Sequence, residues 1–204
     1  MIVVQPSTPA GVVDAIVSLI SSHPGRLRVA IDGAPAADPE NLAEQVVLEL
    51  APRNALLVRA HHFWRQASLR LEDGRHDADA WLHRWLDEPA LRREVLDPCV
   101  EIGRVLPALR DPVTDRSLRS SPVDLPPDGV VIVAGSVLLG RGLPFDVAVH
   151  VQLTQAALAR RTPEDQRWTL PALARYERER NPATLADLVV RWDDPLRPAL
   201  VRPD

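Results

Sequence analysis

The chain has 204 residues, a net charge of −4 and a sequence pI near 5.9. That length fits one domain able to bury a sizeable core, and the acidic balance argues against a general nucleic-acid binder. Cys99 is the single cysteine, which excludes an internal disulfide framework, and all 24 basic residues are arginines. Chemistry that needs a lysine amine, such as a Schiff base or a phosphate-loop lysine, is thereby excluded. The apolar run Val12 to Ile20 is broken by Asp14 and Ser18 and is too short to span a bilayer. No basic leader precedes it, so the expected location is cytoplasmic, with no membrane or nucleic-acid partner.

Thr8-Pro9 predicts a helix start, and residues 8–22 carry an apolar helical face ended by Pro24-Gly25. Leu27 to Ile31 is a β-rich run that stops at Asp32-Gly33. Asp38-Pro39-Glu40 opens a second helix to about Leu50, with Leu42, Val46, Val47 and Leu50 as its buried stripe. Ala55 to Val58 predicts a second strand, ending at His61-His62. Asp77 can cap a helix carrying Trp81, Leu82, Trp85 and Leu86, and Pro89 starts another with Leu91, Val95 and Leu96. A loop from Asp111 to Asp128 leads to Gly129–Gly135, a continuous apolar run suited to a strand covered on both faces. Phe145 to Leu153 and Asp187 to Trp192 predict further strands. Thr154 to Arg161 and Leu170 to Arg180 predict helices. This alternation gives an α/β fold, a three-layer sandwich around a central parallel sheet of about five strands, in one domain over 1–204.

A strand, a glycine, small residues and a helix start form the context of a phosphate-binding loop. That chemistry needs a second glycine, a lysine and a hydroxyl; counting from Gly33, those positions hold Asp38, Pro39 and Glu40. The spacing survives and the chemistry does not. Two carboxylates facing a polyanion repel it by roughly 4 kcal/mol per charge pair at about 4 Å and an effective dielectric of about 20. Pro39 also removes a donor. The segment is expected to act as a self-capped helix start, with Asp38 where an anion would sit.

The chain resembles the uridine kinase and related nucleoside kinases, within the uridine kinase–phosphoribulokinase group of P-loop proteins. The resemblance covers roughly Arg28 to Val201. It rests on Arg28–Gly33 before the loop, on His61-His62-Phe63-Trp64-Arg65, on Leu71–Asp77, on Val131–Gly135, and on Asn181-Pro182 through Val190. It implies a P-loop NTPase-like fold and an ATP-dependent nucleoside kinase ancestry. It also places the family's general base at His61 and the acid ending the third core strand at Ala134. The family's lysine and magnesium-binding hydroxyl are Pro39 and Glu40. The expectation is therefore a kinase-like protein without phosphotransfer, taking a nucleoside-like small molecule or a protein in its old cleft. The alternatives are a divergent nucleoside kinase that binds ATP and magnesium through arginines and Glu40, and a structural subunit of a kinase paralogue. No cofactor is expected unless the kinase alternative holds, and no metal ligand set is evident.

His61 is the candidate catalytic group, weighed against a hydrogen-bonded loop histidine. His61 and His62 on an extended segment would point to opposite sides. The substrate-cleft candidates are His61, Phe63, Arg65, Arg70 and Arg75, with solvated arginines the plainer alternative for the last three. Arg160, Arg161 and Arg167 are the lid candidates within a helical region over about 155–180. Trp81 and Trp85 fit a core face, whereas Trp64 and Trp168 fit exposed aromatic contacts in loops. Cys99 has no visible activating partner and reads as an inert thiol. A homo-oligomer or a paralogue complex is open.

Overall fold

The computed structural model describes residues 3–202; the outermost four residues of the single-domain span lie outside them. Apolar runs without charge become the interior strands. β2 (Leu27–Gly33), β3 (Ala55–Arg59), β6 (Val130–Gly135), β7 (Val147–Gln152) and β8 (Leu188–Arg191) pair in parallel in the order β8-β7-β2-β6-β3. The register sets Val29 against both Ile132 and Val147, so β2 and β6 are covered on both faces, as their sequences require. These are the five strands expected. Two more extend the sheet to seven among the described residues: β9 (Ala199–Arg202) runs antiparallel to β8, and β1 (Val3–Pro6) antiparallel to β9. The loop expected over 111–128 also holds a short strand, β5 (Val123–Asp124), paired with β4 (Arg104–Val105).

One face of the sheet is covered by α1 (Pro9–Ser21) and α2 (Pro39–Glu49). Val12, Ile16 and Ile20 meet Leu42 and Val46 there over Ile31, Ile132 and Val149. Thr8 caps α1 by accepting from the Gly11 N–H at 3.1 Å, with Pro9 in the first turn, as its sequence predicts. The opposite face is covered in two parts. α4 (Ala78–Arg84), capped by Asp77, and α8 (Leu170–Arg180) lie over Ala30, Ala148 and Val189. A single helical turn, α3 (Ala67–Arg70), precedes α4, and α5 (Glu88–Leu91), a π-helical turn (Arg92–Leu96) and α6 (Asp97–Glu101) lie over Val58, Val131 and Val133, burying Leu91, Leu96 and Cys99 completely. α7 (Gln155–Arg161) and a 3-10 turn (Glu164–Thr169) precede α8. In a sheet of this kind the C-terminal strand ends converge on one edge, where ligands bind. Here that edge collects the loops after β2, β3 and β6.

Candidate functional site

The segment after β2 turns back on itself. Residues 35–37 form a 3-10 turn in which the Ala37 N–H donates to the Ala34 carbonyl at 2.8 Å and the Asp38 N–H to the Pro35 carbonyl at 3.0 Å. Asp38 takes a left-handed conformation (φ 55°), the backbone state that favours glycine, and its Oδ1 accepts from the Asn41 N–H at 3.3 Å. The cap expected from Asp38-Pro39-Glu40 is thus formed. Pro35 and Pro39 carry no N–H, and three of the remaining donors point into the loop itself. Fewer amides are therefore left for an anion than in a fully open nest.

Glu40, in the first turn of α2, reaches across to the segment after β3. Its Oε1 lies 2.8 Å from His61 Nδ1 and its Oε2 3.4 Å from Arg59 Nε; Arg59 also bonds Glu44. Glu40 and His61, the two positions that the resemblance aligns with a hydroxyl and a general base, are therefore in direct contact. His61 sits in a 3-10 turn (Ala60–Phe63), not an extended segment, and the rings of His61 and His62 meet edge to face at 4.5 Å. Burial and the neighbouring His61 and Arg59 hold the His62 pKa below its ordinary value. Ala134, where the family's acid would stand, packs wholly buried toward α1 and α2.

These segments border a cleft of about 340 Å³ at the strand ends. Asp38, Pro39 and Glu40 form one wall, His61 and Trp64 the next, and Ser136, Val137 and Arg141 a third. Trp81 and Trp85 from α4 and its end, and Trp168 from the 3-10 turn before α8, close it. The core role expected for Trp81 and Trp85 holds, at 7 % and 6 % exposure, yet both also face the cleft. Trp64 and Trp168 are not exposed loop residues. Both are half-buried, their rings 5.1 Å and 5.7 Å from Trp85, because each finds an aromatic neighbour on another element.

Several expected positions lie elsewhere. Phe63 is fully buried beneath the turn, against Leu86 and Leu91, so it is core rather than cleft lining. Arg70 is buried too. Its guanidinium stacks 5.6 Å from the Trp64 ring and 5.1 Å from the Trp85 ring, and Nη2 donates to the Pro112 carbonyl at 2.6 Å. It braces the outside of the aromatic wall, and burial lowers its pKa. Arg65 and the exposed Arg75 do not line the cleft. Of the lid candidates, Arg161 donates to the Trp192 carbonyl at 2.7 Å, Arg160 to the Asp193 carbonyl at 3.5 Å, and Arg167 pairs with Glu164 at 2.6 Å. All three are engaged by near neighbours, and it is Gln166, Trp168 and Thr169 of that region that reach the cleft.

Sequence reasoning missed the network beneath the cleft. Asp32, at the end of β2 and wholly buried, accepts from the Leu138 N–H at 2.8 Å and the Tyr176 hydroxyl at 3.0 Å, and meets His150 Nδ1 at 2.8 Å. Tyr176 in turn accepts from the Leu139 N–H at 3.0 Å, and His150 Nε2 lies 3.0 Å from Glu177 Oε1. Burial alone would lower the imidazole pKa, but the bonds to Asp32 and Glu177 outweigh it and raise it to about 9. Burial and the Asp32 carboxylate push the Tyr176 hydroxyl far up. This network fixes residues 138–139 and with them Val137, a β-branched residue at φ 61° on the cleft wall. The available signal was a lone histidine in the apolar run Val147–Val151, because a buried polar group demands a partner. Arg141 was missed as well; it bonds Glu88 and the Leu82 and Val137 carbonyls.

Among the solved structures that match most of this chain, two illustrate the likeness. A possible uridine kinase from Bacillus stearothermophilus superposes with a TM-score of 0.71 at 18% identity, covering 87% of this chain and 96% of that one. Phosphoribulokinase from Rhodobacter spheroides superposes with a TM-score of 0.54 at 13% identity, covering 81% of this chain and 70% of that one. The chain has the fold of the uridine kinase and phosphoribulokinase group of P-loop kinases. No family model matches the sequence, and no curated protein matches it. The fold group implies ATP with magnesium, and the loop after β2 does not fit that group. Two of its residues lack an N–H, and a carboxylate occupies the helix start. Among the described residues no cluster of three His, Cys, Asp or Glu suits a metal ion, and no helix is long and apolar enough to cross a membrane.

Proposed function

We propose that this kinase-fold chain does not transfer phosphate from ATP, and that its cleft binds a ligand lacking a phosphate chain. The carrying observation is the loop over 33–40, in which Asp38 caps α2 and Glu40 is held by His61 and Arg59. A triphosphate there would have to displace the Asp38 carboxylate from the positive end of the helix. It would also meet two negative charges where its relatives in fold offer amides, a lysine and a hydroxyl. Glu40 engages His61 Nδ1, which leaves Nε2 as the one ring nitrogen that could take a proton. A nucleoside-like small molecule fits this reading, and a partner protein or a second copy of the chain can dock beside it.

A second reading rests on Glu40 itself. Its carboxylate lies on the cleft wall in the first turn of α2, where it could serve a magnesium ion, and Arg141 lines the same cleft. A divergent nucleoside kinase would then survive on arginines. Incubating pure protein with ATP, magnesium and uridine or cytidine separates the two. The proposal expects no nucleotide monophosphate. Turnover that disappears in Glu40→Gln would establish the kinase instead.

A further inference from the structure

Four of the five tryptophans line one cleft, contributed by three segments distant in sequence. Trp85 is their hub, 5.1 Å from Trp64 and 5.7 Å from Trp168, and Trp168 lies 6.3 Å from Trp81. The Trp64–Trp85 and Trp81–Trp168 pairs are steeply inclined, at 75° and 79°, so the indoles form walls at an angle rather than a flat stack. Ring faces carry negative electrostatic potential and attract cations, indole most of all. This array already holds one such ion from outside, the Arg70 guanidinium against Trp64 and Trp85.

The charged groups on the cleft wall point the same way. Of the two lining carboxylates, Glu40 is paired with Arg59 and His61, whereas Asp38 is exposed and engaged by a single backbone N–H. The lining guanidinium, Arg141, is 8 % exposed and neutralised by Glu88. A cavity lined by four indoles with the Asp38 carboxylate at its edge favours a positive guest and disfavours an anion. Its volume of about 340 Å³ suits a small molecule.

We infer that the ligand of this cleft is a small organic cation, a quaternary or methylated ammonium on an apolar body. The inference rests on reading the cleft as a site for a ligand without a phosphate chain, and it names that ligand's class.

The test is calorimetry, paralleled by tryptophan fluorescence, at constant ionic strength. The probes are choline, its neutral isostere 3,3-dimethylbutan-1-ol, benzyltrimethylammonium, uridine and magnesium-ATP. Choline is expected to bind about tenfold more tightly than the neutral alcohol, the order expected of a partly desolvated cation–π site. Asp38→Asn retains an oxygen for the helix cap and tolerates the left-handed backbone. It should weaken both ammonium probes severalfold and leave the alcohol unchanged. Trp168→Leu should weaken them without altering the fold of the sheet. Equal binding of choline and the alcohol overturns the inference, as does silence from both ammonium probes. Uridine binding beside that silence overturns the cation and leaves the phosphate-free reading standing. Magnesium-ATP binding followed by phosphotransfer overturns that reading and the inference with it.

Discussion

His150 makes the stability of this fold depend on pH in a direction opposite to that of ordinary acid denaturation. Its imidazole sits between Asp32 at 2.8 Å and Glu177 at 3.0 Å, and its pKa is raised from 6.5 to about 9. The folded protein therefore keeps a proton that the unfolded chain releases near pH 6.5. A raised folded-state pKa gives stability that is complete below about pH 6.5 and is lost as pH rises through about 9. At about 1.4 kcal/mol per pKa unit, the full loss is about 3 kcal/mol. For a chain of this size that corresponds to about 6–12 °C in Tm. Urea unfolding at intervals from pH 6 to 9, on the native chain and on His150→Gln, reads the effect directly. The native chain should lose stability steadily across that window, whereas the variant should start lower and change little. Equal slopes for the two proteins would refute the reasoning, because the proton would then belong to another group.

Three further outcomes follow from single side chains. Asp38→Ala should cost about 2–3 kcal/mol in urea unfolding, the lost cap adding to the left-handed backbone penalty. Asp38→Gly should cost only a few tenths, because glycine removes the second term; similar losses in the two variants would contradict the cap geometry. Phe63→Ala should lower stability by about 3–5 kcal/mol as a buried aromatic, and a loss below about 1 kcal/mol would return Phe63 to the cleft wall. Burial raises the Cys99 thiol to about 11. A thiol reagent at pH 8 should leave it untouched until urea unfolds the chain, and prompt labelling of the native protein would contradict that burial.

The parts of the fold legible in the sequence are those written locally. Val130–Gly135 and Leu27–Gly33 are apolar without interruption, and only strands covered on both faces use such runs. Thr8, Asp38 and Asp77 announce their helices because a cap acts on residues two or three positions away. β1 and β9 were not legible. Both are four-residue strands containing or flanking proline, and the edge strand β1 owes its conformation to pairing across nearly the whole chain, Val4 against Val201. The same distance problem hid most of the site. Glu40 and His61 were each noticed as departures from a pattern, but their contact spans 21 residues. Asp32 and His150 stand 118 residues apart, and only the parallel β2–β7 register sets them side by side. The arginines show the converse limit. Arg70 and Arg75 look alike in sequence, yet one is clamped between indoles and the Pro112 carbonyl while the other faces solvent. Trp168 joins the cleft because the turn before α8 folds it onto Trp85, which periodicity along α8 cannot reveal.

Calorimetric titration of magnesium-ATP into the pure protein tests the central claim most directly. A helix start capped by Asp38 and a Glu40 held by His61 predict no measurable heat of binding. Saturable binding tighter than about 100 µM, on the order of −5.5 kcal/mol, that is lost in Glu40→Gln would contradict it, because the cradle would then still hold its phosphates.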